Sequence, residues 1–183
     1  KGTLPTTGSP PLWLVLRVAD QDPNDDIGVR VRRAVVTLNG RQLEHVPGAY
    51  NKLDTDVLRL TVTEHEDRTI IPPIFRDSSN DLAINFPHLE PNPGGFYETR
   101  GDGSLLFWFQ VPAFFATGLD TLLVNKANID VDVSGDYILE LSEIFEGASF
   151  NPATYFYTAG QSRGKPNNLN NFRRVRVRYG RET

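Results

Sequence analysis

The 183-residue chain has no cysteine and no methionine, and only three histidines and two tryptophans. Without cysteine there is no disulfide framework, thiol nucleophile, iron–sulfur cluster or cysteine-ligated zinc. The few histidines leave little room for metal or acid–base chemistry. His45 and His88 have no ligand partner at a diagnostic spacing. His65, in Glu64-His65-Glu66-Asp67, reads either as part of a solvated charged turn or as a ligand or acid–base group. The HExxH, GxSxG, SxxK, GxGxxG and P-loop patterns are all missing. Acids are too widely spread to single out a glycosidase pair, so no catalytic residue nominates itself.

Long hydrophobic runs are missing too. The most apolar stretch, Leu105–Phe115, is too short for a membrane-spanning helix and contains a proline. It reads as a core strand, or as a partner-facing patch if Phe107, Trp108, Phe109, Phe114 and Phe115 point outward. A net charge of −4 gives no global attraction to nucleic acid or anionic lipid, so neither a nucleic-acid partner nor a membrane span is expected. The chain begins at Lys1 rather than methionine, which reads as the mature or trimmed part of a longer product.

What is present is the composition of a globular domain, 39% apolar and 23% charged, on a chain long enough to bury a sizeable core. Hydrophobic periodicity is mostly two, the period of a strand. It predicts strands at Leu12–Val18, Val29–Leu38, Val57–Thr63, Thr69–Ile71, Leu82–Phe86 and Leu105–Val111. Further strands are expected at Thr121–Val124, Ile129–Val133, Tyr137–Ile144, Thr154–Thr158 and Phe172–Tyr179. Asn39-Gly40 between apolar runs is a hairpin signal, because both residues accept positive φ. Pro112–Thr117 and Leu141–Phe145 read as single helical turns. About eleven short strands separated by Gly, Pro, Asn and Asp predict an all-β, antiparallel β-sandwich of immunoglobulin-like or jelly-roll type. Residues 1–11 read as a flexible leader, and 12–183 as one domain with a long crossover loop at about 86–103.

Three short resemblances accompany this pattern. Ser134-Gly135-Asp136-Tyr137-Ile138-Leu139-Glu140-Leu141 resembles the tyrosine corner of immunoglobulin-like sandwiches, with Leu139 in place of the antibody cysteine. Ala34–Arg41 is similar to the strand-turn of bacterial immunoglobulin-like modules. Leu4-Pro5-Thr6-Thr7-Gly8 resembles a sortase signal but lacks the hydrophobic span and basic tail that follow one, so it reads as leader. The first two resemblances imply a sandwich.

Three features are candidates for function. Asp20, Asp22, Asn24 and Asp26, with Asp25, concentrate hard oxygen ligands between two strands, as a calcium site needs. The EF-hand spacing is not met, and a solvated Asp/Asn turn explains the same residues. Arg100-Gly101-Asp102 resembles the recognition tripeptide of integrin ligands, and equally fits a turn between strands, with Arg100 and Asp102 as its partner-binding residues.

The third feature is charge segregation. Residues 161–183 hold seven basic residues against one acid, a local +6 that leaves −10 on the rest of the chain. Arg173, Arg174, Arg176 and Arg178 crowd the final strand, while Asp130 and Asp132 alternate with apolar residues in an acidic one. Either the two strands neighbour each other in one sheet and pair their charges, or the basic strand meets another subunit or an anionic partner. The expectation is a non-enzymatic extracellular or virion-surface module acting in binding or self-assembly, in adhesion for example. A carbohydrate-binding module would instead display Trp13, Trp108, Tyr50, Tyr97, Tyr155 or Tyr157 as stacking rings. A secreted hydrolase with a scattered active site is the third class. Expected partners are therefore protein subunits or a glycan, with calcium the single cofactor candidate.

Overall fold

A computed structural model describes residues 2–4, 13–21, 28–45, 49–53, 60–62, 75–76, 88–99, 103–111, 126–144, 149–150, 157–162 and 172–181. Among the described residues every regular element is a strand. The first eight are β1 (Gly2–Leu4), β2 (Trp13–Asp20), β3 (Arg30–Leu38), β4 (Arg41–Gln42), β5 (Glu44–His45), β6 (Ala49–Leu53), β7 (Leu60–Val62) and β8 (Phe75–Arg76). The others are β9 (His88–Leu89), β10 (Tyr97–Glu98), β11 (Gly103–Gln110), β12 (Lys126–Ser134), β13 (Tyr137–Ile144), β14 (Ser149–Phe150), β15 (Tyr157–Ser162) and β16 (Arg173–Arg181). The expected strands at 69–71, 82–86 and 121–124 and the expected turn at 112–117 lie outside the described residues. The helical turn expected at 141–145 is strand as far as Ile144, because Leu139 and Leu141 alternate into the core.

The fold is all-β. One sheet runs β1-β16-β12-β3-β10 with β4 beside β3, and a second runs β15-β13-β2-β11-β6-β9 with β5 beside β11. A small third sheet is β14-β7-β8. Every described pairing is antiparallel except β1 with β16, where Gly2, Thr3 and Leu4 oppose Tyr179, Gly180 and Arg181 in parallel. Part of the stretch read as leader is therefore a strand.

Alternation explains the core. Ala127, Ile129, Val131 and Val133 of β12 and Val31, Val36 and Leu38 of β3 point one way. They share a single buried cluster with Leu14, Leu16 and Val18 of β2, Leu105, Phe107 and Phe109 of β11, and Leu139 and Leu141 of β13. Burying a side chain of this size stabilises the fold by about 1.5–3 kcal/mol relative to leaving it exposed. β11 is buried on both faces, so Phe107, Trp108 and Phe109 are core. Phe114 and Phe115 lie outside the described residues. On the face of β2 and β11 turned away from that cluster, Trp13 and Trp108 pack edge to face at 5.9 Å. Arg17 there forms an ion pair with Glu140 on β13 and also bonds the Ser104 hydroxyl at 3.2 Å.

Among the described residues three connections move the chain between the large sheets, the first being Leu43, which alone joins β4 to β5. Gly135 and Asp136 alone join β12 to β13, with Gly135 at φ +89° and an added Cβ 2.7 Å from the Gly28 carbonyl oxygen. The 88–99 segment places β9 on the edge of one sheet and β10 on the edge of the other. Within it, the Asn92 side-chain oxygen accepts from the Gly94 and Phe96 amides, and this turn delivers Phe96 to the first sheet. Asn39 and Gly40 turn β3 into β4 with φ of 49° and 83°, as their sequence predicts.

Candidate functional site

The features legible in the sequence separate at once. Arg100 and Asp102 lie outside the described residues, and so do Asp22, Asn24 and Asp26. Asp20 ends β2, opposite Tyr137 in the β13 register. Among the described residues no three His, Asp or Glu side chains gather as a metal site. No described helix is long and apolar enough to cross a membrane.

The two charged strands come together. β12 pairs with β16 so that Asp130 opposes Arg176 and Asp132 opposes Arg174, with Asn128 opposite Arg178. The alternation that buries Ile129 and Val131 turns Asn128, Asp130 and Asp132 outward, and β16 turns Arg174, Arg176 and Arg178 to the same face. The other neighbour of β12 is β3, which brings Arg33 opposite Asp132. Of the two arrangements open from sequence, these strands adopt pairing within one sheet.

Asp130 is the hub. Arg174 donates to it from Nε at 2.9 Å and from Nη2 at 2.6 Å, a forked contact. Arg33 and Arg176 approach the same carboxylate at 3.6 and 4.0 Å. The Arg174 hydrogen bond, aided by the charges of Arg174, Arg33 and Arg176, outweighs burial and holds the Asp130 carboxyl below its ordinary value. Asp132 takes Arg32 at 3.7 Å, and Glu98 of β10 takes Arg30 at 3.4 Å.

The charges do not balance. Among the described residues, Arg30, Arg32, Arg33, Arg174, Arg176 and Arg178 share this sheet face with three carboxylates, Glu98, Asp130 and Asp132. Arg178 faces Asn128, and no described carboxylate lies within ion-pair distance of it. Arg176 is two-thirds exposed, with a side-chain accessibility of 67%. An open groove of about 490 Å³ runs between the strands, lined by Val35, Thr37, Asn128, Asp130, Arg176 and Arg178 among others. At one end of the face Arg30 lies over Phe96 at 4.6 Å and Arg32 over Phe172 at 4.5 Å, with the two rings 6.1 Å apart. Each guanidinium there is held against an aromatic face.

Sequence reading missed Arg30, Arg32 and Arg33 as members of this surface. The signal was present as a break in parity. Val29 and Val31 are buried at odd positions, while Val36 and Leu38 are buried at even ones. An added residue must lie between them, and the β12–β3 register shifts there, between Asp132 and Val133. That bulge is why consecutive Arg32 and Arg33 are both exposed. Comparison with protein-family models, with curated proteins and with solved structures found no match.

Proposed function

We propose that the protein is a non-enzymatic β-sandwich module of immunoglobulin-like or jelly-roll type, extracellular or on a virion surface. It acts in binding or self-assembly through the arginine-rich face of β3, β12 and β16. The observation that carries the reading is the surplus of that face: among the described residues six arginines stand against three carboxylates, and Arg174, Arg176 and Arg178 line an open groove with Asp130. Pairing with Asp130 and Asp132 consumes part of the positive charge and fixes the geometry of the rest. A surface organised in this way attracts and orients an acidic protein surface.

A second copy of the chain is the first candidate for that surface. The chain outside 161–183 carries −10, so the complementary sign is available on every copy. Asp130 and Asp132 are engaged within their own sheet, so the acidic half of the contact comes from elsewhere in the partner. Such a contact joins two different surfaces, and it closes into rings or propagates as filaments.

The competing classes draw less support. A glycan platform needs exposed rings; among the described side chains Trp13 and Trp108 are 6% and 1% accessible and Tyr97 packs on Phe107, while the Tyr50, Tyr155 and Tyr157 side chains lie outside them. A hydrolase needs two carboxylates facing across a cleft, and on this face Glu98, Asp130 and Asp132 each have an arginine within 4.0 Å instead. The test is solution mass against ionic strength, for the wild type and for Arg176→Glu with Arg178→Glu. Assembly at low salt that both changes abolish supports the reading, and a wild type that stays monomeric removes it.

A further inference from the structure

Among the described residues β16 is an edge strand over most of its length. One side pairs with β12 from Arg173 to Gly180. On the other side β1 covers Tyr179, Gly180 and Arg181, and among the described residues nothing pairs with the stretch from Arg173 to Arg178. Burial agrees: Arg173, Arg174, Arg176 and Arg178 are exposed, and the inward-facing Val175 and Val177 are only half-buried against the core. An edge of this kind presents backbone N–H and C=O groups that another strand can use.

We infer that this open edge is a strand-addition site for an extended acidic segment of a partner protein, with apolar and acidic residues in alternation. The inference rests on the binding function proposed above and specifies its geometry. Three observations on the page carry it. First, the same edge already accepts an added strand, since β1 comes from the opposite end of the chain to lie beside Tyr179–Arg181. Second, β12 shows which sequence fits β16. Its Ile129, Val131 and Val133 pack inward while Asp130 and Asp132 meet the arginines, and an incoming strand with that alternation finds the same two faces. Third, the arginine surplus on the outer face lies along this strand, with Arg178 unmatched by any described carboxylate and Arg176 no closer than 4.0 Å to one. Main-chain bonds to the edge supply affinity, and the arginine spacing selects acids at every second position.

Fluorescence anisotropy of the intact protein with a labelled synthetic peptide, Lys-Ala-Asn-Ile-Asp-Val-Asp-Val-Ser, the sequence of β12, tests this. Saturable binding at low salt is expected, weakened on the order of tenfold by Arg176→Glu with Arg178→Glu. In an added strand only every second N–H faces the edge. Methylating the peptide nitrogens of one alternate set should therefore abolish binding, and methylating the other set should leave it intact. If both methylated peptides bind like the parent, or if poly-glutamate or heparin binds and the peptide does not, strand addition is overturned while an anion-binding face survives. If no anionic probe binds and the protein stays monomeric at low salt, this inference and the function beneath it both fall.

Discussion

Asp130 shows how one side chain can organise a charged surface. Three arginines converge on its carboxylate, and its lowered pKa means that the folded state gains from its ionisation. That gain is complete above the ordinary carboxylate value of about 4. It is lost as pH falls through the lower folded value, so the advantage of wild type over Asp130→Asn should shrink in acid. Thermal melts at neutral pH and in acid would show this, and an equal difference at both would mean that the pairing contributes nothing. Exposed pairs are weak and screened by salt, so the loss at neutral pH should be a few degrees at most and should fade at high ionic strength. The same change frees Arg33, Arg174 and Arg176 for a partner. Asp130→Asn should therefore weaken folding yet tighten binding to an acidic probe, and weaker binding would argue against the face as a docking surface. The Arg17–Glu140 pair behaves oppositely, being shielded, with both side chains at 15% accessibility. Glu140→Ala should cost on the order of 3 kcal/mol in denaturant unfolding, because it takes the carboxylate away from a shielded guanidinium. Adding Arg17→Met should recover most of that loss, and a double variant no better than the single one would show that the pair is not coupled.

Elements follow from the sequence where one physical rule governs them. Alternation located β2, β3, β11, β12 and β13, because each buries every second residue or both faces. Asn39-Gly40 made a hairpin turn because both residues take positive φ. What could not be read was the partnering of strands. The Val/Asp and Val/Arg alternations suggested that β12 and β16 match, but only the register places Asp130 against Arg176. The contribution of β3 depends on a bulge, whose trace in the sequence is a parity break between Val31 and Val36. The corner between β12 and β13 was visible in Ser134–Leu141 as a resemblance to a tyrosine corner, but the contact that constrains Gly135 was not. That contact comes from Gly28 packing against the corner across the fold. Gly135→Ala combines a positive φ with a Cβ at 2.7 Å from the Gly28 oxygen. It should cost about 2 kcal/mol or more. A loss below about 0.5 kcal/mol, the size of an ordinary surface change, would mean that the corner relaxes freely.

On the scale of the whole molecule, charge is sorted rather than balanced. The terminal region concentrates positive charge, and the fold places it beside β12 and β3 on one sheet face instead of dispersing it. The segregation was legible from counting residues, and so was the pair of strands responsible. Which fraction stays uncompensated was not legible, because that depends on Arg30, Arg32 and Arg33 arriving through β3. Phe96 and Phe172, distant in sequence, then hold two of those arginines in place. The most direct test of the central claim is the light-scattering mass of the 20.5 kDa chain across ionic strength. It should be measured beside Arg176→Glu with Arg178→Glu, with circular dichroism confirming that the variant keeps the wild-type fold. The account predicts assemblies larger than one chain at low salt, dissolving as the Debye length falls below about 8 Å, and a variant that is monomeric throughout. A wild type that remains monomeric at high concentration and low salt would contradict it.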